Sequence, residues 1–488
     1  MRLFPIESPT RSWSVQEVAA RTDACKAWLK AKGLGIEQVV GLIGPNAPEY
    51  LLALLGIWYC AGIVLPLNPR LPELQLELAL RRGGARWCLG GPPGRRFLDW
   101  DELPGQGTQG AEDRLAFNPD SCFSLLLTSG SSEGPKLVYH DYGPHHSSAL
   151  SLFQRFPLGP GDRWLLALPL FHVGGLAIVV RCMLSGATLV LPEPGQDLAE
   201  ALVALRPSHL SLVATQLQRL LAQPEAIPVL QAAKFILLGG SAIPRSLLER
   251  AVALGLPVHT SYGSTETSSL VSCTPDGADL ETLLTAGFPL PDQRLRIAAD
   301  GEIQINSYLT VCEGYFESEA SLDELCRPYT MPEAQVCWRG RLPSSVFSHS
   351  YHFERQLSAD RDPETHMAWY QTRDRGFFDE AGRLHVIGRL DNLFISGGEN
   401  IQPEEIEAAL LSLAGITQAI VVPVADQEYG QRPVAFVETA SWQPEAWRAQ
   451  LRALLPSYKL PDTFYPWPAG QIGLKPSRAA FQDQAGQR

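Results

Sequence analysis

The chain lacks most of the features that would assign it to a class at a glance. It has no long basic run, and its 488 residues carry a formal net charge of −12, so nothing supports nucleic acid as a partner. The nine cysteines (25, 60, 88, 122, 182, 273, 312, 326 and 337) are scattered, odd in number and free of any Cys-x-x-Cys pair. That argues against a disulfide framework or a zinc site and fits reduced thiols in a cytoplasm. The opening MRLFPIESPTRSWS has no apolar core of the kind a signal peptide needs, so a cytoplasmic location is expected. No internal repeat and no low-complexity segment occurs. Charged residues are sparse at 19% and hydrophobic residues reach 45%, an ordinary globular balance rather than a disordered one. The length allows two or more domains.

Long uncharged runs are also few. Tyr50 to Leu67 has no charge over 18 residues, and Trp164 to Leu191 is nearly as apolar. The first carries Gly56, Gly62 and Pro66. The second carries Pro169, His172, a Gly-Gly pair and Arg181. A membrane span tolerates these poorly, so both read as buried helix-then-strand pieces of an α/β core, and no membrane span is expected.

What is present is alternation. Val39–Ile43, Leu125–Thr128, Trp164–Leu168, Thr188–Leu191, His209–Val213 and Phe235–Leu238 read as strands. Glu17–Ala31, Glu49–Ala61, Leu198–Leu205 and Arg245–Leu254 read as helices. This order predicts an α/β fold of mainly parallel, helix-flanked sheets, with ligand loops at the carboxyl ends of strands. After about Leu390 the style changes. Pro403–Leu413 starts as an amphipathic helix with proline and acids in its first turn, and strands follow at Ala419–Val424 and Pro433–Glu438. The expected division is a large domain over 1–390 and a small α+β domain over 391–488.

The most informative stretch is LLLTSGSSEGPKLVYH, residues 125–140. A buried strand opens into Thr128, Ser129, Gly130, Ser131 and Ser132, and Lys136 lies just beyond. Clustered N–H groups, hydroxyls and one lysine make a site for a polyphosphate. It is not a Walker A loop, because Lys136 follows proline and precedes Leu137. A plain Ser/Gly-rich surface turn is the alternative. Downstream, a strand ends in Gly239-Gly240-Ser241, where a flat ring can approach the backbone. Ser261-Tyr-Gly-Ser-Thr-Glu-Thr267 offers a tyrosine to stack on a base, a threonine for a phosphate and a glutamate for magnesium. Asp374, in Thr372-Arg-Asp, and Arg389, in Gly388-Arg-Leu-Asp-Asn392, offer a grip on ribose. Lys475 lies in the loop GLKPSR; a lone loop lysine is usually a solvated charge.

In this order and together, these segments resemble the acyl-adenylate-forming superfamily of acyl-CoA synthetases, luciferases and peptide-synthetase adenylation domains. The resemblance covers nearly the whole chain. It is carried further by LPLFHVGG, VATQLQRLL, LLGGSAIP, GRLDNLFISGGENIQPEEIE, VVPVADQEYGQRPVA and GLKPSRAAF. Within the superfamily the likeness is strongest to the branch that activates 2-succinylbenzoate. The resemblance implies ATP- and magnesium-dependent ligation of that acid to CoA through an acyl-adenylate, in menaquinone or phylloquinone biosynthesis. Another aryl- or acyl-CoA ligase, a stand-alone adenylation enzyme and an inactive nucleotide-binding module are the alternatives.

The resemblance also implies roles. Thr128, Ser129, Gly130, Ser131, Ser132 and Lys136 would hold the β- and γ-phosphates. Gly239, Gly240 and Ser241 would flank the adenine, with Tyr262 stacked on it and Gly263 beside it. Thr265 would meet the α-phosphate, Glu266 would ligate magnesium, and Asp374 and Arg389 would take the ribose hydroxyls. Lys475 would reach the carboxylate and α-phosphate in the first half-reaction. Asp391 would be the hinge of a mobile small domain whose Gly397, Gly398 and Glu399 line the pantetheine tunnel. Thr267 and His172 fall on the acyl side, although His172 could equally be a satisfied core histidine. Arg181 stands alone in LAIVVRCML, where an unpaired charge is costly. It is expected either in a structural salt bridge or against the substrate carboxylate that is not activated.

Two departures stand out. Glu133 occupies a place where the superfamily has glycine, and an acid beside a triphosphate is unhelpful. The chain between Tyr315 and Thr372 is longer than usual, and about 321–366 reads as a surface insertion or lid. A homo-oligomer would be unsurprising for such a fold.

Overall fold

The computed structural model describes residues 3–36, 38–85, 87–90, 97–98, 103–104, 122–128, 136–306, 314–316, 357–362, 368–396, 399–427, 429–468 and 478–486. Two helix-flanked sheets dominate the large domain. One has the order Phe288–Pro289, Ser272–Cys273, Val258–Tyr262, Phe235–Leu238, His209–Leu212, Arg163–Leu165, Thr188–Val190, Ile6–Glu7, Ser12–Trp13. Its strands from Val258–Tyr262 to Ile6–Glu7 run parallel. The other runs Gly314–Phe316, Leu137–Asp141, Cys122–Leu127, Ile63–Leu67, Val39–Ile43, Trp87–Leu89, Phe97–Leu98. It is parallel except around Leu137–Asp141.

The two apolar runs form helix-then-strand pieces, as expected. Tyr50 to Leu67 becomes the helix Pro48–Tyr59 and the buried strand Ile63–Leu67. Pro48 sits in the first turn, where its missing N–H costs nothing. The second run becomes Arg163–Leu165, Val173–Ser185 and Thr188–Val190, and Gly186 ends the helix in the left-handed region at φ 75°. No helix among the described residues is long and apolar enough to cross a membrane. The first long helix, Val15–Ala31, is set by a capping box in which Ser14 and Glu17 bond each other's backbone. Trp58 stacks on Phe123 at 3.9 Å and donates its indole N–H to the Phe123 carbonyl at 3.0 Å. Burying side chains of this size stabilises by roughly 1.5–3 kcal/mol each.

Other boundaries shift. The strand expected over Trp164–Leu168 ends at Leu165, because the chain turns toward Pro169 after one more bond, Leu166 N–H to Val190 O. The strand expected from Leu125 begins at Cys122. Alternation alone also passed over an antiparallel sheet built from Leu295–Ile297, Glu302–Asn306, Ala368–Phe378, Leu357–Arg361 and Leu384–Arg389. Much of the stretch read as an insertion lies outside the described residues. Its end, Leu357–Arg361, is a strand of this sheet rather than loop.

The small domain packs the helices Pro403–Leu411, Pro444–Leu451 and Arg478–Gly486 with the strands Ile416–Asp426, Gly430–Thr439 and Thr463–Pro466. Arg478 reaches Glu407 at 2.6 Å, Glu404 at 3.2 Å and the Val421 carbonyl. Glu407 is buried and also accepts the Val421 N–H at 2.7 Å. At the junction, Gln402 donates to the Arg389 carbonyl at 2.8 Å and Asn392 bonds Glu404. Gly388 lets the Glu404 carboxylate pack close there, since a Cβ would lie 2.6 Å from one of its oxygens.

Candidate active site

The base of the loop expected to hold phosphate is closed. Thr128 ends the strand Cys122–Leu127, and both its N–H (2.8 Å) and its hydroxyl (3.2 Å) bond the Lys136 carbonyl. Ser129, Gly130, Ser131, Ser132 and Glu133 lie outside the described residues.

Across from it, Gly239 and Gly263 follow the carboxyl ends of two neighbouring parallel strands. A Cβ at Gly239 would sit 2.7 Å from the Ser261 hydroxyl, and Gly240 has φ 83°; only glycine leaves that backbone open. Ser241 is exposed in the next loop. Gly263 meets a tighter limit, because a Cβ there would stand 1.9 Å from the Ser269 carbonyl oxygen. This close crossing folds residues 264–269 into a compact turn. Ser264 N–H donates to the Thr267 hydroxyl at 2.8 Å, and Ser269 N–H reaches the Ser264 carbonyl at 3.2 Å. Ser268 and Ser269 adopt φ 52° and 105°, a conformation that costs on the order of 1–3 kcal/mol outside glycine. The turn presents Thr265 and Glu266, both partly exposed. The hydroxyl of buried Thr267, expected to face the acyl group, is committed to holding the turn.

Tyr262, Asp374 and Arg389 converge. The Tyr262 hydroxyl donates to Asp374 Oδ2 at 2.6 Å, and Arg389 donates to Asp374 Oδ1 at 3.2 Å. Burial raises the Asp374 carboxyl above its ordinary range against the opposing pull of Arg389 and Tyr262. Burial, reinforced by Asp374, pushes the Tyr262 phenol well up, so it stays a donor. Asp391 lies in a 3₁₀ turn and takes Arg373 at 2.9 Å and Arg389 at 3.1 Å. Arg373 holds a left-handed φ of 62° to reach it.

His172, expected on the acyl side, is the residue that precedes the helix Val173–Ser185 and is exposed, which removes the core-histidine reading. Arg181 lies in that helix and is 1% exposed. It donates to the Ser269 hydroxyl at 3.3 Å and lies 5.2 Å over the Trp164 ring. Its Nε has no partner, and among the described residues no carboxylate pairs with it. Burial lowers its pKa to about 10. The expected alternative of a structural salt bridge is therefore absent there. Two buried histidines went unassigned in the sequence. His140 contacts the Thr265 carbonyl at 2.6 Å, and His145 packs its ring 4.8 Å from that of His140. The sequence shows them only as histidines just past Lys136, the first closing the apolar stretch Leu137–Tyr139. Glu399 is exposed in the hairpin Phe394–Ser396 with Glu399–Ile401. Lys475, Gly397 and Gly398 lie outside the described residues.

The geometry is that of a nucleotide site on an α/β scaffold, and family comparison agrees. The model for AMP-binding enzymes matches residues 3–315, and that for the AMP-binding enzyme C-terminal domain matches 405–469. The chain belongs to the AMP-binding enzyme family. It is 35% identical to the 2-succinylbenzoate–CoA ligase of Salmonella typhimurium, over 96% of this chain and 92% of that protein. Among solved structures, an arginine-to-lysine variant of E. coli MenE with bound OSB-AMS matches with a TM-score of 0.78 and 32% identity, covering 100% of this chain and 96% of that one. The o-succinylbenzoate coenzyme A synthetase of Bacillus subtilis in complex with ATP and magnesium ion matches at TM-score 0.77 and 25% identity, covering 96% and 93%.

Proposed function

We propose that the protein ligates 2-succinylbenzoate to CoA at the expense of ATP, in menaquinone biosynthesis. The reaction has two halves. An oxygen of the substrate carboxylate attacks the α-phosphorus of ATP and pyrophosphate leaves, giving the acyl-adenylate. The CoA thiol, losing its proton, then attacks the acyl carbon and AMP leaves. The observation that carries the substrate reading is Arg181, a buried guanidinium with no carboxylate partner among the described residues. A dicarboxylic substrate brings a second anion to such a cation.

In this reading Thr128 and Lys136, with Ser129, Gly130, Ser131 and Ser132, hold the β- and γ-phosphates. Gly239, Gly240, Ser241 and Gly263 border the adenine and Tyr262 stacks on it, while its hydroxyl and Arg389 orient Asp374 toward the ribose. The Thr265 hydroxyl meets the α-phosphate. Glu266 is a hard oxygen ligand suited to magnesium, and no group of three or more metal-ligating side chains occurs among the described residues. That donor set fits an ion held by one carboxylate and the substrate phosphates. When bound, the ion neutralises charge building on those phosphates. Lys475 serves the first half-reaction. Rotation of the small domain about Asp391 then brings Gly397, Gly398 and Glu399 to the CoA side, with His172 at the join. Mass spectrometry of products from 2-succinylbenzoate, ATP, magnesium and CoA tests the reading. Succinylbenzoyl-CoA, AMP and pyrophosphate are expected; turnover of other aryl or fatty acids in its place would overturn it.

A further inference from the structure

We propose that His140 is a positioning residue for adenylate formation, its ring fixing the Thr265 carbonyl and with it the Thr265–Glu266 pair. The inference rests on the reading of those two residues as the α-phosphate and magnesium contacts.

The two residues belong to different sheets. His140 lies in the strand Leu137–Asp141, and Thr265 follows the strand Val258–Tyr262. Their contact, Nε2 to the carbonyl oxygen at 2.6 Å, links residues 125 apart in sequence. A carbonyl can only accept, so Nε2 carries the proton. Nδ1 has no partner, so no second bond draws the ring elsewhere. The ring is fully buried, and burial holds its pKa at about 4, which keeps it neutral with Nε2–H as the single donor. His145 packs against it, and the Phe123 ring stands 5.3 Å from that of His145, so the imidazole is held within a packed aromatic cluster.

The turn needs such an anchor. Its internal bonds run among residues 264 to 269, and Gly263 lets it cross close to Ser269. Those bonds set its shape, not its distance from the phosphate loop. Arg181 and Ser148 hold the far end of the turn through Ser269 and the Leu270 carbonyl, and His140 ties its Thr265 end to the strand that starts immediately after Lys136. One short strand thus ties the base of the phosphate loop to the carbonyl behind Thr265. A histidine present only to fill space would need no such alignment, and an apolar residue would leave the Thr265 carbonyl with only the Ser268 N–H of its own turn, at 3.1 Å, and without its tie to the other sheet.

The test compares H140Q, whose amide keeps a donor at similar reach, with H140M, which has similar length and no donor. Single-turnover adenylate formation is measured from 2-succinylbenzoate and Mg·ATP across a magnesium titration. Transfer to CoA is measured separately from supplied acyl-adenylate. H140M is expected to slow adenylate formation by roughly tenfold or more, as displacement of a contact group does, and to raise the magnesium needed for half-saturation. H140Q should restore most of the rate, and CoA transfer should change little in either variant. If H140M proves unfolded, H140N, too short to reach Thr265, takes its place. Adenylate formation by the donor-less variant within about twofold of wild type, less than one lost hydrogen bond, overturns the inference. So does an equal loss for both variants in both half-reactions. E266Q keeps the two claims apart: normal adenylate formation by E266Q defeats the reading of the Thr265–Glu266 pair and the inference with it. A crippled E266Q beside an active H140M defeats the inference alone.

Discussion

The Tyr262 hydroxyl and Asp374 Oδ2 stand 2.6 Å apart, joining residues separated by 112 positions and by two different sheets. The ring and the hydroxyl of Tyr262 therefore do separate things. The variant Tyr262→Phe keeps the ring and releases Asp374. It should raise KM for ATP severalfold with little change in kcat, and lower stability by about 1 kcal/mol, the usual worth of one hydrogen bond. Steady-state kinetics at varied ATP and denaturant unfolding check both parts; an unchanged KM would leave the hydroxyl a structural tie only.

Arg181 is buried without an acid partner among the described residues, so its burial costs stability that a neutral side chain would not. Arg181→Ala should lower kcat/KM for 2-succinylbenzoate by at least about tenfold, or 1.4 kcal/mol. Thermal stability should hold or rise. A change within about threefold, less than 1 kcal/mol, would show that the guanidinium does not meet the substrate.

Gly263 tests the turn. A methyl there cannot fit 1.9 Å from the Ser269 oxygen, so Gly263→Ala must push Thr265 and Glu266 out of place or unfold the segment. A loss of adenylate formation by roughly a hundredfold is expected from a displacement near 1 Å, accompanied by lower thermal stability. Normal activity with an unchanged melting temperature would contradict the close crossing.

Acid should destabilise the protein before its carboxylates become the main concern. Burial draws His140 and His209 from 6.5 to about 4, and holds His145 well below its ordinary value. Between those values the unfolded chain binds protons that the folded one does not. The stabilisation from keeping the rings neutral is therefore complete above about pH 6.5 and declines as pH falls toward 4. For His140 and His209 that shift corresponds to about 3 kcal/mol each at the acid end. Asp374 and Glu407, whose carboxyls burial raises, act in the opposite sense at the acid end. Urea midpoints from pH 7.5 to 5 should fall steadily, and H140Q should fall less steeply. A flat profile would mean that the rings protonate without cost.

Much of this was legible in the sequence, for physical reasons that differ by element. Phe235–Leu238 and Leu198–Leu205 fall where expected, because short apolar runs between strong breakers leave little choice. Tyr262, Asp374 and Arg389 were each singled out separately, and the structure brings them together. Their bonding to one another was not readable, since it depends on how far one sheet stands from another. His140 and His145 were passed over for the same reason: in the chain they are two polar residues, and only packing makes them buried neighbours of Thr265 and Arg181. Leu357–Arg361 was missed because it has no alternation of its own and becomes a strand by pairing with Ala368–Phe378.

Gly388 carries a consequence for how the two domains meet. The absent side chain is what lets Glu404 and Gln402 come within 2.6 and 2.8 Å of where its Cβ would stand. A single added carbon at 388 would displace the Glu404 carboxylate and the Gln402 amide, and with them the bonds to Asn392 and to the Arg389 carbonyl that join the helix Pro403–Leu411 to the end of the strand Leu384–Arg389. The junction thus has a one-atom handle that reaches both the small domain's seating and the backbone of Arg389.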